Sequence, residues 1–238
     1  MFSNIIKQLA TRLAVFVCDM FFPVECLACK SAGAYLCQTC LASVAWQDKQ
    51  VCHFCKVPSS LGATCAQCRL SYALDGVLVM AQYRGLIKSA IRTYKYHFVR
   101  SLGSELGDLL ARFFASQTWP HTEALVLALP LSRARTRWRG FNQSDLLASA
   151  VAHSSGLAID LDHFIKTQHT IAQAKLSLDK RLELSDQVFA WQASSLSGQT
   201  ILIIDDVIST GRTLSVAAEA LKRAGAEQIW ALVLARGD

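Results

Sequence analysis

A chain of 238 residues has room for one or two domains. Hydrophobic residues make up 52% and charged residues only 18%, which excludes a disordered bulk, and 4 Pro with 12 Gly exclude collagen-like or proline-rich architectures. The formal charge of +6 is uneven: residues 76–145 hold ten basic and four acidic side chains, an excess that suits phosphate, nucleic acid or an anionic surface, or a plain solvated face.

Residues 1–22 predict a helix with Ile5, Ile6, Leu9, Leu13, Phe16 and Val17 on its apolar positions, stopped by Pro23. It could lie on a membrane as an amphipathic anchor or pack on the rest of the chain; packing is expected, since only Lys7 and Arg12 are there to meet headgroups. No apolar run reaches the ~20 residues of a spanning helix, so no transmembrane span is expected. The run from Leu13 to Cys18 is too short for a secretory signal, which implies a reducing compartment.

Eight of the nine cysteines form four Cys-x-x-Cys pairs: Cys26/Cys29, Cys37/Cys40, Cys52/Cys55 and Cys65/Cys68. Two thiolates on one tight turn can reach the same metal, and zinc takes four in a closed tetrahedron. Eight thiolates therefore predict two structural zinc sites rather than disulfides or iron–sulfur clusters. Pairing of the knuckles is open between sequential and cross-braced. Glycine commonly follows the second cysteine of a knuckle; here Lys30, Leu41, Lys56 and Arg69 do. His53, inside the third knuckle, is a bystander or a substitute ligand. Cys18 reads as core.

A domain boundary is expected between Leu70 and Asp75, before a strand from Gly76 to Tyr83. This gives an N-terminal helix (1–22), a Cys-rich module (23–72) and a third unit (73–238). Beyond it, Lys88, Arg92 and Lys95 share one helical face that either binds anions or is wet.

Near the C-terminus, Ile201 to Ile204 is an apolar, mostly β-branched run that predicts a buried parallel strand. Asp205 and Asp206 come immediately after, then the loop Ser209-Thr210-Gly211-Arg212-Thr213. Next come a helix with Leu214, Ala217, Ala218 and Leu221 on one face, a stop at Gly225 and a last strand from Ile229 to Leu234. Carboxylates at a strand's C-terminal end suit ribose hydroxyls, and a hydroxyl-rich loop before a helix N-terminus suits a phosphate. Together they describe a ribose-5-phosphate site. No Lys-Ser/Thr pair follows the glycine, so a Walker-type loop is excluded. The plain alternative is an acidic turn with a helix cap.

Ile201 to Thr213 resembles the PRPP (5-phosphoribosyl 1-pyrophosphate) motif of type I phosphoribosyltransferases. Arg139-Gly140-Phe141-Asn142-Gln143-Ser144 and the four Cys-x-x-Cys pairs resemble the ComF family, which includes the GntX proteins. Leu86-Ile87, Lys95-Tyr96 and Gln173 to Arg181 fall in the expected order between these marks. The fold implied is α/β with a parallel sheet of the type I phosphoribosyltransferase kind, preceded by a Cys-rich double zinc ribbon. The resemblance implies that Asp205 and Asp206, as catalytic residues, hold the ribose 2′ and 3′ hydroxyls. It implies that Ser209, Thr210, Gly211, Arg212 and Thr213 cradle the 5-phosphate. Pro130, Leu131 and Ser132, after a strand at Leu125 to Leu129, would form the pyrophosphate-side loop, with Mg²⁺ arriving on PRPP. Ala128 and Leu184 stand where family members often have Pro and Asn.

Beside that loop, Arg133, Arg135, Arg137 and Arg139 read as a basic loop closing over PRPP, as a nucleic-acid contact with Trp138, or as a solubilising segment. Lys95 joins them as a phosphate or nucleic-acid contact. Asn142 predicts a helix N-cap with Asp145 as its box partner.

Two functions are consistent with this reading. One is a phosphoribosyltransferase with an unknown acceptor. The other, implied by the ComF resemblance, is an inactive accessory of DNA uptake in natural transformation, for which PRPP is only a regulatory ligand. Its expected partners are single-stranded DNA and the DNA-import channel with its helicase-like motor. The expected location is cytoplasmic, peripheral at the inner membrane.

Overall fold

The computed structural model describes residues 24–96, 99–167 and 188–237. The N-terminal helix, Cys18 and the segment from Gln173 to Leu184 lie outside the described residues. Two short helices, α1 (Gln38–Leu41) and α2 (Ala66–Arg69), belong to the Cys-rich part. They are followed by β1 (Gly76–Gln82), α3 (Gly85–Tyr96), α4 (Arg100–Ala115), β2 (Leu125–Ala128), α5 (Arg133–Arg139) and α6 (Gln143–Ser155). The rest is β3 (Ala158–Asp160), β4 (Phe164–Lys166), β5 (Phe189–Trp191), β6 (Thr200–Ile208), α7 (Arg212–Arg223) and β7 (Gln228–Arg236).

Five strands form one parallel sheet in the order β1-β7-β6-β2-β3, and β4 pairs with β5 in a separate antiparallel ribbon. The apolar runs of β6 and β7 are buried on both faces, as a covered parallel sheet requires. Side chains alternate between two layers. Leu202, Ile204, Leu232 and Leu234 share a cluster with residues of α3, α4 and α6. Ile201, Ile203, Ile229 and Val233 pack with α7 and the β4–β5 ribbon. Full burial of one such side chain stabilises by about 1.5–3 kcal/mol, so this double layer fixes the strand register.

The strand register sets the site. β6 does not stop at Ile204 but runs through both carboxylates to Ile208, because its partner β7 continues pairing up to Arg236. Asp206 therefore has the parity of Leu202 and Ile204 and meets the layer built from α3 and α6. That layer is tightly registered: a Cβ on Gly107 of α4 would come 2.8 Å from Ala150 Cβ of α6. Tyr94 Oη of α3 donates to the buried Gln143 carbonyl at 2.9 Å. Asn142 caps α6 as expected, accepting from Ser144 N at 3.4 Å and donating to Asp145 Oδ1 at 2.6 Å.

The outer edge of β1 is covered by the chain joining the two cysteine clusters. Gln47 N donates to Met80 O, Gln82 N donates to Ala45 O, and Gln50 exchanges two hydrogen bonds with the Val79 backbone at 2.9 and 3.1 Å. An otherwise open edge is closed in this way.

The expected basic loop is instead the helix α5. Ser132 caps it by accepting from Arg135 N at 3.4 Å, Thr136 donates its hydroxyl to Ser132 O at 3.3 Å, and Gly140 ends it with φ 79°. A helix distributes its side chains around an axis, so the four arginines do not form one clamp.

Candidate functional site

The cysteines gather as two tetrads, Cys26/Cys29/Cys37/Cys40 and Cys52/Cys55/Cys65/Cys68, which is the sequential pairing. Within each, all four Sγ atoms lie within 4.8 Å of one another. Cys29 and Cys37 Sγ are 3.6 Å apart, and Cys55 and Cys65 Sγ 3.5 Å. A tetrahedron with Zn–S near ~2.3 Å has edges of about 3.8 Å, so each tetrad could hold zinc. Lys30 and Lys56 take φ 64° and 67°, the left-handed turn that glycine supplies in other knuckles. The missing glycines thus cost strain at two lysines without changing the ligand geometry. The Cys29 amide is the main group pulling the Cys26 thiol down to about 6. Burial opposes the same effect at Cys52, but the Cys55 and Cys65 amides prevail and bring it to about 6. In the same tetrads the neighbouring Cys29 thiol pushes Cys40 up to about 12, and burial pushes Cys68 up to about 12, so each tetrad has one thiol favoured as a thiolate and one held protonated.

The tetrads attach differently. Beside the first, Tyr35 N and Leu36 N donate to the Glu105 carboxylate of α4 at 3.5 and 3.2 Å. Beside the second, His53 and Phe54 pack under the loop that precedes α7. A Cβ on Gly211 would come 3.0 Å from His53 Cδ2 and 3.2 Å from Phe54 Cε1, and Gly211 itself has φ 77°. His53 is buried and is not one of the tetrad. Burial is the main force pushing its ring down to about 4, with the charges of Lys56 and Arg236 adding to it.

The main cleft lies at the C-terminal ends of β2 and β6, where open parallel sheets bind ligands. Asp205, Asp206 and the whole run Ser209 to Thr213 line it, facing Pro130 and Leu131. Lys95, Arg135, Lys166 and Arg212 add four cations to the two carboxylates, which suits an anion-rich ligand. The loop itself is only Ser209 to Gly211; Arg212 and Thr213 already form the first turn of α7. Gly211, in N-cap position, offers no side-chain cap, and Arg212 N reaches Thr210 Oγ1 at 3.4 Å. A helix start of this kind suits an anion.

Asp206 is 2% exposed and both its oxygens are engaged. Oδ1 pairs with Lys95 Nζ at 2.6 Å, and Oδ2 accepts from Gln143 Nε2 at 3.0 Å. Gln143 Oε1 in turn accepts from Arg139. Asp205 is less enclosed; its Oδ1 accepts from Asp206 N at 2.8 Å and from Ser144 Oγ at 3.2 Å. Burial first, then the charge of Asp206, raises its carboxyl to about 7.

The expected site residues are therefore divided. Asp205, Asp206, Ser209 to Thr213, Pro130, Leu131, Arg135 and Lys95 are brought together. Ser132 serves instead as the cap of α5. Arg139 is not an exposed phosphate or nucleic-acid contact, because it is 8% exposed and holds Gln143. Arg133 lines a neighbouring cavity with Asp145 and Asp162, and Arg137 points to solvent. Lys95 reaches the cleft through the Asp206 pair rather than as a free surface charge.

Gln143 and Ser144 join the site, although the sequence gives them no site role: it marks them as part of the Arg139–Ser144 element and as the start of a capped helix. Their place at the first two residues of that helix, after a strand that ends beside the acids, is the available signal. Lys166 carries no such signal, because it sits on a three-residue strand distant in sequence from every motif.

A parallel α/β sheet with an acidic pair and a helix-capping loop at its C-terminal edge defines a phosphoribosyltransferase-type fold, here joined to two four-cysteine clusters. Residues 147–238 match the family model described as phosphoribosyl transferase domain. The chain is 27% identical over 226 residues, 90% of each chain, to "Competence protein ComFC" of Bacillus subtilis. It is 25% identical over 230 residues to "Competence protein F" of Haemophilus influenzae, covering 91% of this chain and 98% of that one. Similarity to "DNA utilization protein YhgH" of Escherichia coli K12 is 28% over 195 residues, 78% of this chain and 84% of that one. With both cysteine clusters present, these similarities fit the ComF family that the sequence motifs resemble. Among the described residues no helix is long and apolar enough to cross a membrane.

Proposed function

We propose that the cleft binds PRPP with Mg²⁺ and that the protein transfers its phosphoribosyl group to an acceptor. The observation that carries this reading is the order along one strand and loop: a carboxylate pair braced by α3 and α6, then an N-terminally uncapped helix, in a cleft with excess positive charge. Ser209 to Thr213 hold the 5-phosphate. Asp205 meets the ribose hydroxyls. Asp206, committed to Lys95 and Gln143, keeps Asp205 and the strand end in place. Mg²⁺ arriving with the substrate would supply charge neutralisation at the pyrophosphate, held chiefly by the substrate's own oxygens. Arg135 and Lys166 stabilise the charge of departing pyrophosphate as the bond from C1 to its oxygen breaks and the bond from C1 to the acceptor forms. Zinc in the two tetrads is structural, and the protein works in the cytoplasm.

A second reading is a DNA-handling role with PRPP as a regulatory ligand. Tyr96 and Trp138 are 56% and 60% exposed, meet edge to face at 6.3 Å, and stand beside the exposed Arg137. Aromatic faces next to guanidinium groups suit stacked single-stranded bases. The names of the relatives, competence proteins and a DNA utilization protein, support a link to competence and DNA utilization.

The test is the melting temperature of the zinc-loaded protein with PRPP and Mg²⁺, against Asp205→Ala plus Asp206→Ala. Ligand at a hundred times its Kd stabilises by about 2.7 kcal/mol. The expected result is a rise that the double variant lacks. Equal melting with and without ligand in the wild type contradicts PRPP binding in both readings and leaves a DNA-handling role without that ligand.

A further inference from the structure

The second tetrad lies behind the cleft, reaching its loop through His53 and Phe54, which pack against Gly211. Phe54 stacks on Tyr72 with centroids 3.5 Å apart, and its ring packs against the cluster formed by α7 and β6. His53, between Cys52 and Cys55, fills the space where a side chain at Gly211 would stand. Its carbonyl accepts from Lys56 Nζ at 2.6 Å, which closes the knuckle around the ring. On the far side of the loop, Gly237 N donates to Ile208 O at 2.8 Å, so the loop's first anchor is the end of the sheet. Its second anchor is the knuckle. Gly211 has the one conformation that admits this contact: φ 77°, with no Cβ to strike the imidazole.

We infer that His53 is a positioning residue which holds Ser209 to Gly211 in ligand-binding shape, so that the order of the second cysteine tetrad is linked to ligand affinity while that of the first is not. The inference rests on the PRPP reading only for the identity of the ligand. The mechanism is a shared rigid contact. Four thiolates on one metal fix the Cys52–Cys55 turn. The turn fixes the imidazole between its ligands. The imidazole leaves Gly211 one place to be. Coupling of this kind is reciprocal, so a disturbed loop also loosens the knuckle. The first tetrad meets the rest of the chain through Glu105 on α4, away from this loop.

The test uses the full chain with its zinc measured. His53→Ala is expected to keep both zinc equivalents, to raise amide hydrogen exchange in peptides covering 205–214, and to weaken PRPP·Mg²⁺ binding about tenfold. His53→Gln, with a polar tip of similar reach, should recover part of both. Glu105→Gln should leave loop exchange and affinity unchanged. Gly211→Ala approaches the contact from the other side and should raise exchange in peptides covering 52–72. Unchanged loop exchange and unchanged affinity in His53→Ala, with zinc retained, overturn the inference. So does a Gly211→Ala protein whose 52–72 peptides exchange as in wild type. If wild type takes no PRPP, the ligand assignment fails, and the exchange measurements still decide the coupling.

Discussion

The two cysteine clusters share four thiols in Cys-x-x-Cys pairs and a left-handed lysine after the first pair, yet they play different parts in the fold. The first is tied to α4 by backbone amides on one carboxylate, and Cys26 and Leu36 join the core layer of α3, α4 and α6. The second reaches through His53 and Phe54 to the phosphate-type loop on the opposite side of the sheet. The same set of ligands thus sits beside a fastening to α4 in one place and behind the cleft loop in the other. What separates them is the pair of residues between the cysteines: Leu27-Ala28 in one knuckle, His53-Phe54 in the other.

The largest effects should come from the thiolates themselves. Cys26→Ser and Cys52→Ser each remove a buried ligand and are expected to lose one zinc and about 4 kcal/mol of stability, read from zinc content and denaturant unfolding. Only Cys52→Ser should also lose the response to PRPP. Equal loss in both would erase the contrast between the clusters.

Next comes the bracing of the acids that the second cluster's loop adjoins. Asp206→Asn leaves Lys95 without its carboxylate at 2.6 Å. Lys95 retains some solvent contact, so the cost is set below that of a fully buried pair, at about 2 kcal/mol. Lys95→Met combined with Asp206→Asn should recover part of it in a double-mutant cycle. No recovery would mean the pair does not brace the strand end.

The pH dependence is smaller and has a definite sign. The Asp205 carboxyl is raised to about 7 when folded, against ~3.9 unfolded. The unfolded chain therefore binds fewer protons between these values. The stability that comes from the protonated form is full below ~4 and is lost as pH rises through 7. Unfolding at pH 5 and pH 8 should show wild type losing about 1–2 kcal/mol relative to Asp205→Asn, after allowance for solvent reaching the cleft. A constant difference would remove the case for a buried carboxyl there.

The smallest effect belongs to the first cluster's fastening. Glu105→Gln weakens two long hydrogen bonds and should cost about 0.5–1 kcal/mol, with zinc and PRPP binding intact. A change in PRPP affinity in this variant would link the first cluster to the cleft as well.

Much of this is legible in the sequence because it depends on local patterns. Four cysteine pairs announce two four-thiol clusters, the Ile201–Ile204 run announces a covered parallel strand, and the acids with their hydroxyl-rich loop announce the cleft at its end. The extension of β6 through the acids is not legible, since it depends on β7 continuing as a partner. Helix α5 departs from the expected loop because alternating arginines suggest a stripe, while the decisive features are Ser132 as a cap and Gly140 as a stop. The sequence leaves the pairing of knuckles undecided, because gaps of seven, eleven and nine residues allow both arrangements. The contacts of His53 with Gly211 and of Lys95 with Asp206 span more than a hundred residues, and no local pattern encodes them.

If the cleft at the end of β6 is a ribose-phosphate site, ribose 5-phosphate alone must compete for it. Calorimetric titration of the zinc-loaded chain with PRPP in the presence of Mg²⁺, repeated with saturating ribose 5-phosphate, makes that comparison. The expected result is one PRPP per chain, displaced by ribose 5-phosphate because both use Asp205 and the Ser209–Thr213 segment. PRPP binding that ribose 5-phosphate leaves untouched, or no binding at all, would contradict it.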